Sequence, residues 1–249
     1  MRREATWAAV IGVAGVIGVA GAGEGDPGDP AWSVSRVGGD GDQRVEPRGE
    51  GWIAGECAVT TPLPAGYPAP TAPGALELKR YPAVRRAEVR GGGDPDRGMN
   101  RAFFPLFRHI QRAGIAMTAP VELDLGREPD GAREDWTMSF LYRTPELGPV
   151  GPAGDQVEVV DRGPLTVLAL GVQGGERQAQ LREGEARLDA WLAAQTRWER
   201  AGPARVLYYH GPEVPRAPLG RGAGARARGG RPEGRAAGGE AVVLSGVTG

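Results

Sequence analysis

Gly114-Ile115-Ala116-Met117-Thr118-Ala119-Pro120-Val121, followed by Trp136-Thr137-Met138-Ser139-Phe140, sets the architecture of this chain. Between residues 115 and 125 the apolar side chains fall on one side of an alternating pattern: Ile115, Met117, Val121, Leu123 and Leu125. Between 135 and 142, Trp136, Met138, Phe140 and Tyr142 do the same. A period of two is the mark of a strand with one buried face, so two strands are expected here. Pro120 has no N–H for a ladder, which predicts an edge or a bulge at that point. Gly114 closes a preceding segment of helical period, expected over 101–112 with Asn100 as N-cap and Pro105 tolerated near its start. Phe103, Leu106, Phe107 and Ile110 are its expected core stripe.

The flanking segments extend this pattern. Residues 75–81 and 83–89 read as strands parted at Pro82, and 90–98 as a glycine-rich connection. After residue 142 the order recurs. Strands are expected over 157–161 and 165–172, around Arg162-Gly163-Pro164. A helix within 176–200 follows, with Leu181, Leu188, Trp191 and Leu192 on one side, and then a strand over 204–209. Strand, strand, helix, strand, twice over, is an α+β pattern of helices packed on a curved antiparallel sheet.

The run 114–121 with 136–140, Leu76-Glu77-Leu78-Lys79-Arg80-Tyr81-Pro82 ahead of it and Tyr208-Tyr209-His210-Gly211-Pro212 behind it together resemble the SOUL family of haem-binding proteins. The resemblance spans roughly residues 74–215. It implies a pseudo-symmetric, distorted antiparallel β-barrel of two strand-strand-helix-strand halves with two flanking helices. It also implies haem or a related tetrapyrrole as the partner, held without catalysis by a carrier, buffer or sensor. The alternative is a non-haem small-molecule or protein-interaction module on the same scaffold.

Bulk properties set the frame around that domain. Thirty basic residues against 31 acidic ones leave no global pull towards nucleic acid. One cysteine, Cys57, excludes an intrachain disulfide, and with two histidines it cannot make a thiolate zinc site. Met1-Arg2-Arg3-Glu4 followed by a charge-free run over 5–22 is expected to be an export signal with a cleavage site at Ala20-Gly21-Ala22, or an uncleaved transmembrane anchor. Residues 1–23 are accordingly read as signal or tether, placing the protein in the periplasm, outside the cell or at a membrane. Residues 24–73, rich in Gly, Pro, Asp and Glu, are read as a disordered linker, and 216–249 as a disordered basic tail with six arginines between Arg216 and Arg235. The SOUL resemblance would have a closing strand near the start of that tail. Residues 217–228 can be encoded by nucleotides that in a shifted frame spell Arg-Arg-Trp-Ala-Glu-Val-Gln-Val-Pro-Val-Arg, so a frameshift is one origin for the tail.

Haem requires an apolar wall, a cation for its propionates and, for tight ligation, an imidazole. His109 falls on the flank of the expected stripe with Arg112 beside it, which makes His109 the candidate iron ligand and Arg112 the candidate propionate partner. Phe104 and Arg108 project from the opposite flank, where Phe104 either packs under the N-terminal linker or lines a second edge of an apolar binding surface. Met117 is a candidate axial contact as well as a core residue. His210, after Tyr208-Tyr209, is the other imidazole. Enzyme readings are weaker: Glu122 and Asp124 lie two apart on the polar side of a strand, where solvation is expected rather than catalysis, and Ser139 lacks a nucleophile elbow.

Overall fold

The computed structural model describes residues 15–20, 34–39, 42, 44–126, 135–173, 177–209 and 239–244. In chain order the first strands are β1 (Gly15–Ala20), β2 (Val34–Gly39), β3 (Val45–Arg48), β4 (Gly51–Ala54) and β5 (Cys57–Val59). Next come β6 (Ala75–Tyr81), β7 (Val84–Gly92), helix α1 (Pro95–Arg112), β8 (Val121–Leu125) and β9 (Asp135–Leu141). The chain continues through β10 (Gly151–Pro152), β11 (Glu158–Arg162), β12 (Leu165–Gln173) and helix α2 (Arg177–Ala193). It ends with β13 (Glu199–Arg200), β14 (Ala204–Tyr208) and β15 (Gly239–Leu244).

Among the described residues the fold is mixed α+β, with two helices and antiparallel sheets. Hydrogen bonding divides the described strands into a five-stranded sheet β10-β11-β7-β9-β8, a seven-stranded sheet β13-β1-β14-β15-β12-β6-β2 and a small sheet β3-β4-β5. β8 and β14 lie side by side, with no ladder joining the two large sheets among the described strands. One apolar core joins α1 and α2 to both large sheets, through Leu106, Ile110, Leu123, Met138, Phe140, Leu168, Leu188 and Val206 among others.

The expected strand over 115–125 is ordered as a strand only from Val121. Residues 115–120 run irregularly and include a cis Ala119–Pro120 peptide bond. Proline removes the donor a ladder would need there. Thr118 is instead tied by its side chain, Oγ1 donating to the Leu141 carbonyl at 2.6 Å.

Helix α1 starts earlier than Asn100. Asp94 is the N-cap, its carboxylate accepting from the Asp96 N–H at 3.0 Å, and Pro95 occupies the first turn, where its missing N–H costs nothing. The longer helix changes the buried stripe to Met99, Ala102, Leu106 and Ile110, leaving Phe107 37 % exposed and Phe104 55 % exposed. Phe107 is therefore not a core residue. Pro105 stands mid-helix and gives up a bond to the Arg101 carbonyl, on a residue exposed to water.

Gly98 shows why the first turn of α1 carries a residue of poor helix propensity. A Cβ there would lie 2.1 Å from Cζ2 of Trp136, a buried ring that also leaves no room for a Cβ at Gly91. Gly98→Ala gains about 1 kcal/mol of helix propensity but drives a methyl group into a packed indole, an overpacking cost of about 1–3 kcal/mol. A net fall in the thermal midpoint is expected, and a rise would show that the indole relaxes freely.

Residues 24–73 are not all linker, since β2 to β5 lie within them. The strands β3, β4 and β5 form a meander whose two-residue connections each begin with a positive-φ glycine, Gly49 and Gly55. Ala54, Cys57, Val59 and Leu63 are buried, and Trp52 and Tyr67 pack with Val59 against a second apolar cluster. Burial pushes the Cys57 thiol up to about 11, so it is an inert packing group rather than a reactive one. Gly15–Ala20, within the expected signal or anchor, pairs as a strand with β12, β13 and β14. No helix among the described residues is long and apolar enough to cross a membrane. In the segment read as a disordered tail, Gly239–Leu244 pairs with β12 and β14. Residues 210–238, which hold His210, the arginines from Arg216 to Arg235 and the frameshift reading, lie outside the described residues.

Candidate functional site

Helix α1 lays Leu106 and Ile110 on the apolar face of the five-stranded sheet, which carries Ala87, Val89, Leu123, Met138 and Phe140. The same packing fixes what its two flanks present. On one flank His109 is half-buried, and its Nε2 is hydrogen-bonded to the Tyr142 hydroxyl at 2.6 Å, with the two rings nearly parallel at 16°. Burial, and then the Arg112 guanidinium, hold the His109 pKa below the usual imidazole value, so the ring is neutral at pH 7. Burial pushes the Tyr142 phenol up to about 12, more than the opposing field of Arg85 lowers it. Tyr142 therefore keeps its proton and serves as a hydrogen-bonding partner, not as a phenolate.

The loop between β9 and β11 closes this flank. Gly148 lies beside Ile115 and Tyr142, and its carbonyl accepts from Arg85. Its neighbours Leu147 and Val150 are exposed at 37 % and 56 %. Farther along, Asp155 faces both Arg112 at 3.1 Å and Arg108 at 3.8 Å. Arg108 and Arg112 thus stand together on the solvent side of α1, close to His109 on the helix surface. Met117 is half-buried against the core.

Phe104 lies on the other side of the helix, with Phe103 and Phe107. Phe103 stacks on Phe107 with ring centroids 5.7 Å apart and meets the buried Phe140 edge-on at 5.2 Å. At 100° per residue His109 and Phe104 are about 140° apart, so the helix separates the two flanks. His109 and Arg112 thus stand on one flank and the aromatic patch containing Phe104 on the other; Arg108, expected beside Phe104, is instead drawn to the Arg112 side by their shared partner Asp155.

A second assembly of polar side chains was not anticipated. On the face of the five-stranded sheet turned away from α1, Arg86 is buried among three carboxylates: Glu88 and Glu122 at 2.6 Å each and Asp124 at 2.7 Å. Arg162 of β11 holds Glu88 from outside, its Nη2 reaching both carboxylate oxygens at 2.7 and 2.8 Å, and Arg205 of β14 faces Asp124 at 2.7 Å. Glu122 is 3 % exposed, which corrects the reading of a solvated strand face. The signal present in the sequence was the pairing of Arg86 and Glu88 with Glu122 and Asp124 at the same two-residue spacing. Glu88, Ser139 and Glu122 are direct cross-strand neighbours over β7, β9 and β8.

The family model described as SOUL heme-binding protein matches residues 67–219, more than half of the chain. No curated protein sequence matches it. Among solved structures, the crystal structure of the EcmrR C-terminal domain overlaps with a TM-score of 0.46 at 13% identity, covering 68% of this chain and 96% of that one. The cryo-EM structure of the EcmrR–DNA complex in EcmrR-RPo overlaps with a TM-score of 0.44 at 13% identity, covering 70% of this chain and 57% of that one.

Proposed function

The chain belongs to the SOUL haem-binding family, and we propose that it binds haem or a related tetrapyrrole reversibly, without turning it over, as a carrier, buffer or sensor. The binding edge in this reading is the His109 flank of α1. The observation that carries it is the neutral, half-buried His109 imidazole, held by one hydrogen bond to Tyr142 and bordered by Arg108 and Arg112. This donor set suits the ligand: imidazole for iron, two guanidiniums for propionates, and Ile115, Met117, Leu147 and Val150 as apolar wall. Bound haem would supply an iron centre whose ligation state reports occupancy.

The residues of the chain prepare the site in two ways. Tyr142 fixes the His109 ring, and exchanging that hydrogen bond for a metal bond makes ligation reversible. The depressed His109 pKa keeps protons from competing. Its sign means that ligation persists above the ordinary imidazole value of about 6.5 and weakens only when the pH falls through the lower folded value.

A haemin titration of the full chain, followed by absorbance, tests this reading against His109→Ala and Tyr142→Phe. The expected result is a saturable Soret change that His109→Ala alters and Tyr142→Phe retains, because the latter frees the imidazole. A spectrum identical in His109→Ala would remove His109 as the ligand. A folded protein with no saturable change would favour the alternative, a non-haem module, for which the exposed Phe104 and Phe107 are the supporting observation. Export is proposed on the basic flank and apolar run of residues 1–23; amino-terminal sequencing of protein from the cell envelope or medium tests it.

A further inference from the structure

A cavity of about 590 Å³ opens on the side of the five-stranded sheet opposite α1, within the size range of small-molecule sites. Its polar wall is the Arg86 assembly, and its apolar wall includes Tyr67, Pro164, Leu165 and Leu207. We propose that this cavity is a second binding site, separate from the His109 flank, for a small amphipathic organic anion: an apolar, ring-sized body bearing a carboxylate.

The sign of the ligand follows from how the charges are spent. Arg86 points three separate nitrogens at three carboxylates, so its charge is consumed inside the assembly. Both oxygens of Glu88 accept from Arg162, and Glu88 Oε1 also accepts from Arg86. Both oxygens of Asp124 face guanidiniums, one from Arg86 and one from Arg205. Among the described residues, the two outer arginines are engaged from behind only. Arg162 uses Nε and Nη2, while Arg205 presents Nε to Asp124 and holds its Nη1 3.8 Å from Glu122. Both line the cavity. A guanidinium fixed by a carboxylate on one edge presents its remaining N–H groups in a set direction, the arrangement that recognises a carboxylate. The carboxylates behind also offset the cost of burying the cations, so the site needs no net charge to be selective for an anion.

The apolar wall sets the rest of the ligand. Tyr67 stands edge-on to Tyr81 at 4.9 Å and offers a ring, and burial holds its phenol neutral. Proline and leucine complete a surface suited to a flat or compact apolar body.

Dansylglycine and dansylamide test this inference, since they share a fluorophore and differ in the carboxylate. Fluorescence titration of the full chain should show saturable dansylglycine binding, with dansylamide at least about tenfold weaker. Arg162→Gln and Arg205→Gln should each remove most of that difference, while Arg97→Gln, on α1 at the far side of the sheet with a side chain 90 % exposed, should leave it intact. Arg162 has a side chain 47 % exposed, so its variant keeps the fold, as a circular dichroism melt would verify, and decides the matter should Arg205→Gln unfold. Equal binding of the two probes, a preference that survives both arginine changes, or no saturable dansylglycine signal would each overturn the proposal.

Discussion

Arg86→Met should destabilise the protein by about 3–5 kcal/mol, or leave it unfolded, because it strands buried carboxylates without their cation. The side chain of Arg86 is 3 % exposed, and Glu88 and Glu122 are 2 % and 4 % exposed. In water each charge would be solvated; here the guanidinium replaces that solvation for three groups at once. Methionine fills the volume but none of the charge. Urea unfolding followed by circular dichroism measures the loss, and a change below about 1 kcal/mol would show that water reaches the assembly freely. A compensating variant separates charge from packing. Arg86→Met combined with Glu122→Gln should recover much of the stability, since Glu88 keeps Arg162 and Asp124 keeps Arg205 while the carboxylate left without a close cation is neutralised.

The pH dependence of the same pair of proteins has opposite signs. In the native protein burial raises the Asp124 pKa, but the Arg205 and Arg86 guanidiniums outweigh burial and hold it below the usual carboxylate value. Its contribution to stability is therefore present above about pH 4, the unfolded value, and is lost as the pH falls through the lower folded value. Without Arg86, Asp124 loses one of the two guanidiniums that outweigh its burial and takes up a proton more readily, so the deficit of Arg86→Met should shrink as the pH falls towards about 4. Unfolding curves at several pH values would register this convergence.

Reversing both Arg108 and Arg112 to glutamate should weaken haem binding by about 100-fold while hardly altering the fold. Their side chains are 60 % and 58 % exposed and share one exposed carboxylate, Asp155, so they contribute little to stability. A propionate placed against them would instead meet two like charges after reversal, and each lost charge-assisted hydrogen bond weakens binding by about tenfold or more. The loss should be smaller at high salt, since these groups are in reach of screening ions. A porphyrin with both propionates esterified should bind the variant and the native protein alike. A haem affinity changed by less than about threefold would place the propionates elsewhere.

Two-residue alternation placed β8 and β9, and the helical stripe placed Leu106 and Ile110 on the core. Both patterns report burial of one face, which is a local property of the chain. The meander β3-β4-β5 was harder to read because its strands are three or four residues long, too short for periodicity to declare itself. Its legible signal was instead the pair Gly49-Glu50 and Gly55-Glu56, glycine-led dipeptides spaced to close two hairpins. The N-cap of α1 was likewise present as Asp94-Pro95, but the glycines on both sides of it masked the helix start.

The candidate site divides along the same line. His109 and Arg112 could be placed together from their angular positions on one helix, since a helix fixes those angles by itself; Arg108, expected beside Phe104, is joined to Arg112 only through Asp155 of the following loop. That Tyr142 would occupy the His109 Nε2 required β9 to pass beneath that flank. The charge assembly depended wholly on tertiary structure, because Arg86, Glu122, Asp124, Arg162 and Arg205 come from four strands. Along a single strand, a charge at every second position looks the same whether water or an opposing guanidinium faces it. Only the packing of β14 against β8, and of β11 against β7, excludes the water and turns those charges into partners.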